Sequence, residues 1–407
     1  MRNLLIVLSF ICLNNIAFAD QNIEIIGGNN ASNPKIAIIQ LTGETEDKNI
    51  SDIITNDLNV TGQFSVTKYP NKSSVSKDTK FIVTGTLDTS NNAYKVDYNL
   101  NSTSESKGLL LNQNLNDADL RKLAHTMSNA IYQKITNTPG IFNTKIAYIT
   151  NSNDKYNLVV SDYDGFNQQV IVSSHYPLSS IAWDKSGRQI AYVSFETGKP
   201  VVYVQDLYDT KRYLIANFKG SNSSPAFIPD ASRLAVTLTK DHGSHIYLVN
   251  NSANNMGASN LIKYGNIDTE AAISDNGQIL FTSDHDGGPQ IFLTNLSSPN
   301  SITRVTNNLG KYNTTARWSH DNSKLVFINR NIGTLRTYLL DLTTKSAYPI
   351  SVTTTQDLAP SFAPNDKLVL FSSNNSIYIT NSTGTTQTQL KNIQAETIID
   401  QRWANNF

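Results

Sequence analysis

Residues Trp183–Ser194 read WDKSGRQIAYVS, and four relatives of that stretch follow: FIPDASRLAVTL from Phe227, AISDNGQILFTS from Ala272, WSHDNSKLVFIN from Trp318 and FAPNDKLVLFSS from Phe362. Each opens on an apolar or aromatic residue, passes through a turn of Asp, Asn, Gly or Ser type, and runs into a strand alternating towards a Ser, Thr or Asn. Successive starts lie 44, 45, 46 and 44 residues apart. A β-only unit repeating every 40–50 residues is the signature of a propeller with one four-stranded blade per repeat. The turns suit hairpins, because Gly and Asn tolerate the positive φ that a tight reversal needs. Another alternating strand follows each hairpin, as in Val201–Val204, Ile246–Val249 and Gln290–Leu293.

The ends of the repeat region set the blade number. Lys145–Thr150 (KIAYIT) matches the second half of the unit but lacks the aromatic half, whereas Gln401–Phe407 (QRWANNF) supplies an aromatic and then stops. The C-terminal segment is therefore expected to pair into the blade begun at residue 145. That closure gives six blades and leaves no free sheet edge.

Upstream the period differs. Lys35–Leu41 reads as a buried strand, and Ile50, Ile53, Ile54 and Leu58 fall on one helical face. Phe81–Leu87 and Tyr94–Leu100 read as strands, and Lys68–Lys80 as an exposed loop. Asp117 or Asp119 can cap a helix carrying Leu120, Leu123, Ala124, Met127, Ile131 and Ile135, which ends near Pro139-Gly140. The expected organisation is a small α/β domain over 35–140 followed by an all-β propeller over 141–407.

Residues 1–19 read as a signal peptide: Arg2 precedes the apolar run Leu4–Leu13, and Ala17-Phe18-Ala19 has small residues where a peptidase cuts. Cys12 lies inside it, preceded by Ile11 rather than the small residue that a lipid-modified start requires. The mature chain is expected to begin at Asp20, with an arm over 20–34. It would be a soluble, exported monomer without cysteine, which excludes a disulfide scaffold and a Cys-rich metal site. The full chain carries 33 basic and 33 acidic residues, a balance that argues against a nucleic-acid binder.

No constellation of reactive residues stands out. His242-Gly-Ser-His245 has ligand-like spacing but sits in a turn with no Glu beside it, so solvated hairpin histidines are the simpler reading. His125 reads as a packing or surface residue of the helix. Asp162-Tyr-Asp164-Gly165 and Asp284-His-Asp286-Gly287 open like calcium loops but lack the closing Glu, and Asx turns account for them. There is no G-x-S-x-G elbow and no phosphate-cradling Gly loop. Neither a cofactor nor a resident metal is expected. The segments entering the inner strands (Pro177–Ala182, Lys219–Ala226, Asn266–Ala271, Tyr312–Arg317 and Gln356–Ser361) converge on one channel mouth, where small polar residues offer partners to a docking protein.

Several stretches also resemble the TolB family, periplasmic propellers of the Tol–Pal envelope system. They include Leu120-Arg121-x-x-Ala124-His125 through Thr144–Ile149, Ser161–Asn167, Ala191–Glu196, Ser283-Asp284 with Gly288–Ile291, Ala359–Asn365, and Ile53-Ile54-x-x-Asp57-Leu58 with Gly62–Phe64. The resemblance covers nearly the whole mature chain. It implies a non-enzymatic adaptor that binds the lipoprotein Pal at the propeller mouth and TolA through the N-terminal arm, supports envelope integrity and division, and is exploited by colicin-type bacteriocins. By position the mouth residues would be Ser221, Asn222, Ser224, Thr269 and Glu270. The arm would be Asp20, Gln21, Asn22, Ile23, Glu24, Ile25, Ile26 and Gly27. Gly220-Ser221 and Ser224 depart from the family pattern. Two other readings are a propeller hydrolase or lactonase and a generic ligand-binding propeller.

Overall fold

A computed structural model describes residues 33–89, 93–104, 108–240, 242–252, 257–331 and 333–406. The expected signal peptide and the arm residues Asp20–Gly27 lie outside them.

The first domain is a five-stranded mixed sheet with two helices. Strand β1 (Lys35–Ile39) leads through α1 (Ile50–Val60) to β2 (Ser65–Tyr69), and then come β3 (Phe81–Asp88), β4 (Tyr94–Ser102), β5 (Leu109–Asp117) and α2 (Leu120–Thr136). The order is β2-β1-β3-β4-β5, with β1 parallel to both neighbours and the remainder antiparallel. Helix α1 starts where Asn49 Oδ1 accepts the Asp52 amide at 3.1 Å, and it buries Ile50, Ile54 and Leu58. Asp119 caps α2 through the amides of Arg121 and Lys122, and Asn137 ends it in the left-handed conformation.

Two strands were not anticipated. Lys68 and Tyr69, assigned to the polar loop, finish β2, and Lys72–Ser74 adds a single turn. In β5 asparagine occupies alternate positions, which opposes strand formation by propensity. Pairing with β4 overrides it: Asn112 donates to Asn99 across the ladder at 2.7 Å while Leu111 and Leu115 pack on the core.

The second domain has six four-stranded antiparallel blades. Blade 1 is built from both ends of the propeller. Its innermost strand Thr397–Trp403 pairs with Lys145–Ser152, with Trp403 opposite Ile146 and Thr397 opposite Asn151. The innermost strands of blades 2 to 6 are Leu178–Trp183, Asn222–Phe227, Asp268–Ile273, Asn313–Trp318 and Asp357–Phe362. The next strands outward are almost wholly buried, as in Leu368–Ser373, because neighbouring blades cover both faces.

The repeat's aromatic residue has a structural task. Trp318 Nε1 donates to the Ala272 carbonyl of blade 4 at 3.1 Å, and Trp183 Nε1 reaches the Arg402 carbonyl of blade 1 at 3.4 Å. Each such ring fastens its blade to the one before it. Four residues after the end of each of these five inner strands, the hairpin reverses through a positive φ, at Gly187 (71°), Ala231 (56°), Gly277 (79°), Asn322 (59°) and Asp366 (60°). Where these motifs end on Gly or Asn the strain is small. Ala231 carries it without that relief.

The two domains share a hydrophobic core. One buried cluster runs from Ile54, Leu58 and Met127 of the helices through Phe142 and Tyr163 to Trp403 and to Ala363 and Leu370 of blade 6. Trp403 is its keystone: it stacks on Tyr163 with centroids 6.3 Å apart, and its Nε1 donates to Thr144 Oγ1 at 2.8 Å. The α/β domain therefore sits at the hairpin end of the channel, where Asn365 also donates to the Pro139 carbonyl. The strand-entry mouth lies at the opposite end.

Candidate functional site

The entry segments are the first halves of the inner strands themselves rather than loops before them. A buried polar residue opens four of these strands: Asn222, Asp268, Asn313 and Asp357. Asn222, Asp268 and Asn313 hold the chain that arrives from the previous blade, and Asp357 accepts the Thr337 amide of that blade at 2.8 Å. Asn222 Oδ1 accepts the Phe218 amide at 2.8 Å, and its Nδ2 donates to the carbonyls of Phe218, Gly220 and Pro200. Asp268 accepts the amides of Tyr264 and Gly265, the Ser283 hydroxyl at 2.7 Å, and a contact from His245 Nδ1 at 2.9 Å. Asn222 has no exposed surface, so it acts on the mouth through the loop it clamps.

Two residues into each of these strands, and in blade 2, a non-glycine residue sits at positive φ: Ser180, Ser224, Glu270, Thr315 and Ala359, all between 48° and 58°. The ladder shifts register there, so each strand bulges at the mouth. Such bulges re-aim side chains. They bring Ser224 and Thr269 together with Thr237. Thr269 Oγ1 lies 3.4 Å from Ser224 Oγ and 3.1 Å from Thr237 Oγ1, forming a hydroxyl patch across blades 3 and 4. Ser221 is half-buried at its edge. Glu270 has a different place: its carboxylate accepts the Thr315 amide, the Thr315 hydroxyl and the Thr282 hydroxyl at 2.8–2.9 Å, tying blade 4 to blade 5.

Beside the patch stands a residue that sequence reasoning overlooked. Ile267 is 51% exposed although its backbone is held firmly. Asp284 Oδ1 accepts the amides of Asn266 and Ile267 at 2.8 and 2.9 Å, the Asn266 carbonyl accepts the Ser244 amide, and Tyr264 stacks on His285 at 3.8 Å. Tyr176, Val352 and Leu358 are also exposed at this end of the propeller. Of these, only Ile267 carried a sequence signal, as an isolated apolar residue beside the inward Asp268.

The histidine pair divides. His242 is exposed, as expected of a hairpin residue, but His245 is buried in a strand against Asp268, which corrects its reading as solvated. His125 is likewise buried, and it takes part in a polar cluster between the domains. Its Nδ1 lies 2.9 Å from Asp57 Oδ2, whose other oxygen accepts the Tyr163 hydroxyl at 2.6 Å. His125 Nε2 faces Asp164 at 3.8 Å, and Asp164 is paired with Arg121. Burial opposes charge on His125, but the carboxylates of Asp57 and Asp164 outweigh it and raise its pKa. Burial also raises Asp164, against the pull of Arg121. Asp57, His125 and Asp164 bring donor atoms within 4.8 Å of one another, yet a cation there would have to displace the Arg121 guanidinium. The cluster reads as an ionic clasp between α1, α2 and blade 1. The turn residue Asp286 pairs with Arg304 at 3.2 Å, and Asp284 holds the Ile267 loop, so both aspartates of the second turn have structural partners.

The family model for the TolB beta propeller domain matches residues 132–405, and the model for the TolB amino-terminal domain matches 21–109. The chain belongs to the TolB family. The Tol-Pal system protein TolB of Bordetella parapertussis is 36% identical over 290 residues, which is 67% of this chain and 65% of that protein. The counterpart from Francisella tularensis subsp. mediasiatica is 31% identical over 275 residues, covering 65% and 62%. The matched region thus spans just under two thirds of these relatives. The crystal structure of TolB from Acinetobacter baumannii superposes with a TM-score of 0.83 at 28% identity, covering 94% of this chain and 98% of that one. Membership agrees with the two-domain, six-bladed architecture read from the repeat. Among the described residues no helix is long and apolar enough to cross a membrane.

Proposed function

We propose that this TolB-family chain is a non-enzymatic periplasmic adaptor whose strand-entry mouth docks the lipoprotein Pal and whose arm, Asp20–Gly27, engages TolA. Ser221, Ser224 and Thr269 supply hydroxyls to the docked protein, and Ile267 supplies an apolar anchor. Asn222 and Glu270 keep the mouth in shape from below. Colicin-type bacteriocins would enter the same mouth, and the adaptor would support envelope integrity and constriction at division.

The observation that carries the reading is Ile267: an exposed aliphatic side chain on a loop pinned by Asp268 and Asp284, next to a hydroxyl patch. Rigid apolar anchors surrounded by polar groups are how protein interfaces concentrate their energy. A pre-ordered loop also loses little entropy on docking. Purified chain lacking the signal peptide, carrying Ser224→Trp or Thr269→Arg, should lose capture of Pal from the same organism; both positions are half-buried, so each variant is first shown to fold by circular dichroism. Deleting residues 20–27 should abolish TolA capture. Pal capture by both mouth variants at the parental level would contradict the assignment.

A further inference from the structure

The channel end opposite the mouth holds two cations without an anion. Arg317 in blade 5 and Arg402 in the closing strand both line a cavity of about 190 Å³ on the α/β-domain side. Among the described residues, neither guanidinium lies within ion-pair distance of a carboxylate. Arg317 Nη1 donates to the Ala316 carbonyl at 2.6 Å and reaches the Glu270 carbonyl at 3.5 Å. Arg402 Nε donates to the Ile181 carbonyl at 3.2 Å, and its Nη1 reaches the Ala359 carbonyl at 3.3 Å.

Two confined like charges are expensive unless something answers them, and buried charges in proteins are as a rule paired. Burial, and then the Arg402 charge, hold the pKa of Arg317 down to about 9. Two carboxylates lie nearby, one step closer to the mouth, but both are occupied. Glu270 is taken up by Thr315 and Thr282, and Asp400 accepts the Ile181 amide at 2.7 Å and the Gln401 amide at 2.9 Å. This arrangement sets negative charge on the mouth side and positive charge on the chamber side, so an anion is admitted from the hairpin end. There the chamber is walled by Trp183, Phe227, Trp318 and Phe362. The Lys185–Asp275 pair, at 2.8 Å, joins the hairpins of blades 2 and 4 along its rim. Both partners of that pair are largely exposed, so the bridge is weak and parts readily in salt.

We propose that this inner chamber binds a small organic carboxylate, its oxygens held by Arg317 and Arg402 and its apolar body against the aromatic wall. Guanidinium groups suit the assignment because their forked N–H groups match a planar carboxylate. The site is separate from the mouth, and its existence does not depend on what docks there.

The three tryptophans of the chain, Trp183, Trp318 and Trp403, all line this cavity, so intrinsic fluorescence reports on it directly. The full mature chain is titrated with benzoate, with neutral benzamide, and with inorganic phosphate. Benzoate should give a saturable fluorescence change. Benzamide should not, and phosphate should bind at least tenfold more weakly than benzoate. Arg317→Met should weaken benzoate at least tenfold while Pal capture at the mouth is unchanged. If that variant fails to fold by circular dichroism, the side-chain Nε–H resonances of the parent replace it: benzoate should shift two arginine signals, and no such shift contradicts the proposal. Equal binding of benzamide and benzoate, phosphate binding as tight as benzoate, or undiminished benzoate binding by the folded variant would each overturn it.

Discussion

Replacing Trp403 by Ala tests the closure of the ring and the joint between the domains at once. The ring is 2% exposed, stacks on Tyr163, and donates through Nε1 to Thr144 Oγ1, while its backbone amide donates to Ser361 Oγ at 3.0 Å in blade 6. Truncating a buried Trp to Ala costs about 3–5 kcal/mol through lost transfer energy and the cavity left behind. The Thr144 hydroxyl, itself buried, loses a partner at about 1 kcal/mol more. About 4–6 kcal/mol is a large part of the 5–15 kcal/mol that typically separates folded from unfolded chains. The backbone pairing of Thr397–Trp403 survives the substitution, so the loss measures the keystone ring rather than the strand. Urea unfolding followed by far-ultraviolet circular dichroism is the suitable assay, because Trp403 is itself a fluorophore. A loss below about 1.5 kcal/mol would refute the claim that this side chain couples the closing strand to both domains.

Three other outcomes follow from the geometry. The raised pKa of His125 means that the folded chain holds its proton more tightly than the unfolded chain. The stability this contributes is complete below the ordinary histidine pKa and is lost as pH rises through the folded value. Urea midpoints of the parent should therefore fall between pH 6 and pH 8.5 by more than those of His125→Gln, and parallel pH profiles would remove the clasp from the account. Ala231→Gly should raise stability by about 0.5–1 kcal/mol in the same assay, by relieving the positive φ at the blade 3 hairpin. Asn222→Ala removes one acceptor and three donor contacts from a buried loop. It should cost about 2–3 kcal/mol and weaken Pal capture despite lying out of reach of any partner.

Much of the fold was legible because each level of the sequence agreed with the next. The 44–46-residue spacing, the turn residues and the missing aromatic half at residue 145 all pointed to six blades with a shared first blade, and the register of Trp403 against Ile146 has that form. Strand β5 was hidden because its alternate asparagines argue against a strand until β4 supplies their partners. His245 was misread, and His125 was left open between packing and surface, because burial depends on what packs against a residue from far along the chain, here Asp268 and Asp57. The mouth was only partly visible. Ser224 and Thr269 meet through bulges whose positive φ falls on Ser, Glu, Thr and Ala, residue types that do not announce a left-handed backbone. Arg317 and Arg402 looked like ordinary strand residues, since nothing in a single repeat shows that two of them share one channel.

The central claim is that a partner sits on the hydroxyl patch and the Ile267 loop. The most direct measurement places a photo-crosslinking amino acid at Ile267 and, in a separate chain, at Tyr208, which is 78% exposed on the hairpin side of blade 2. Irradiated with Pal, the chain labelled at 267 should form a covalent adduct and the chain labelled at 208 should not. Equal crosslinking from both positions, or none from 267 while the chain still captures Pal, would contradict the account.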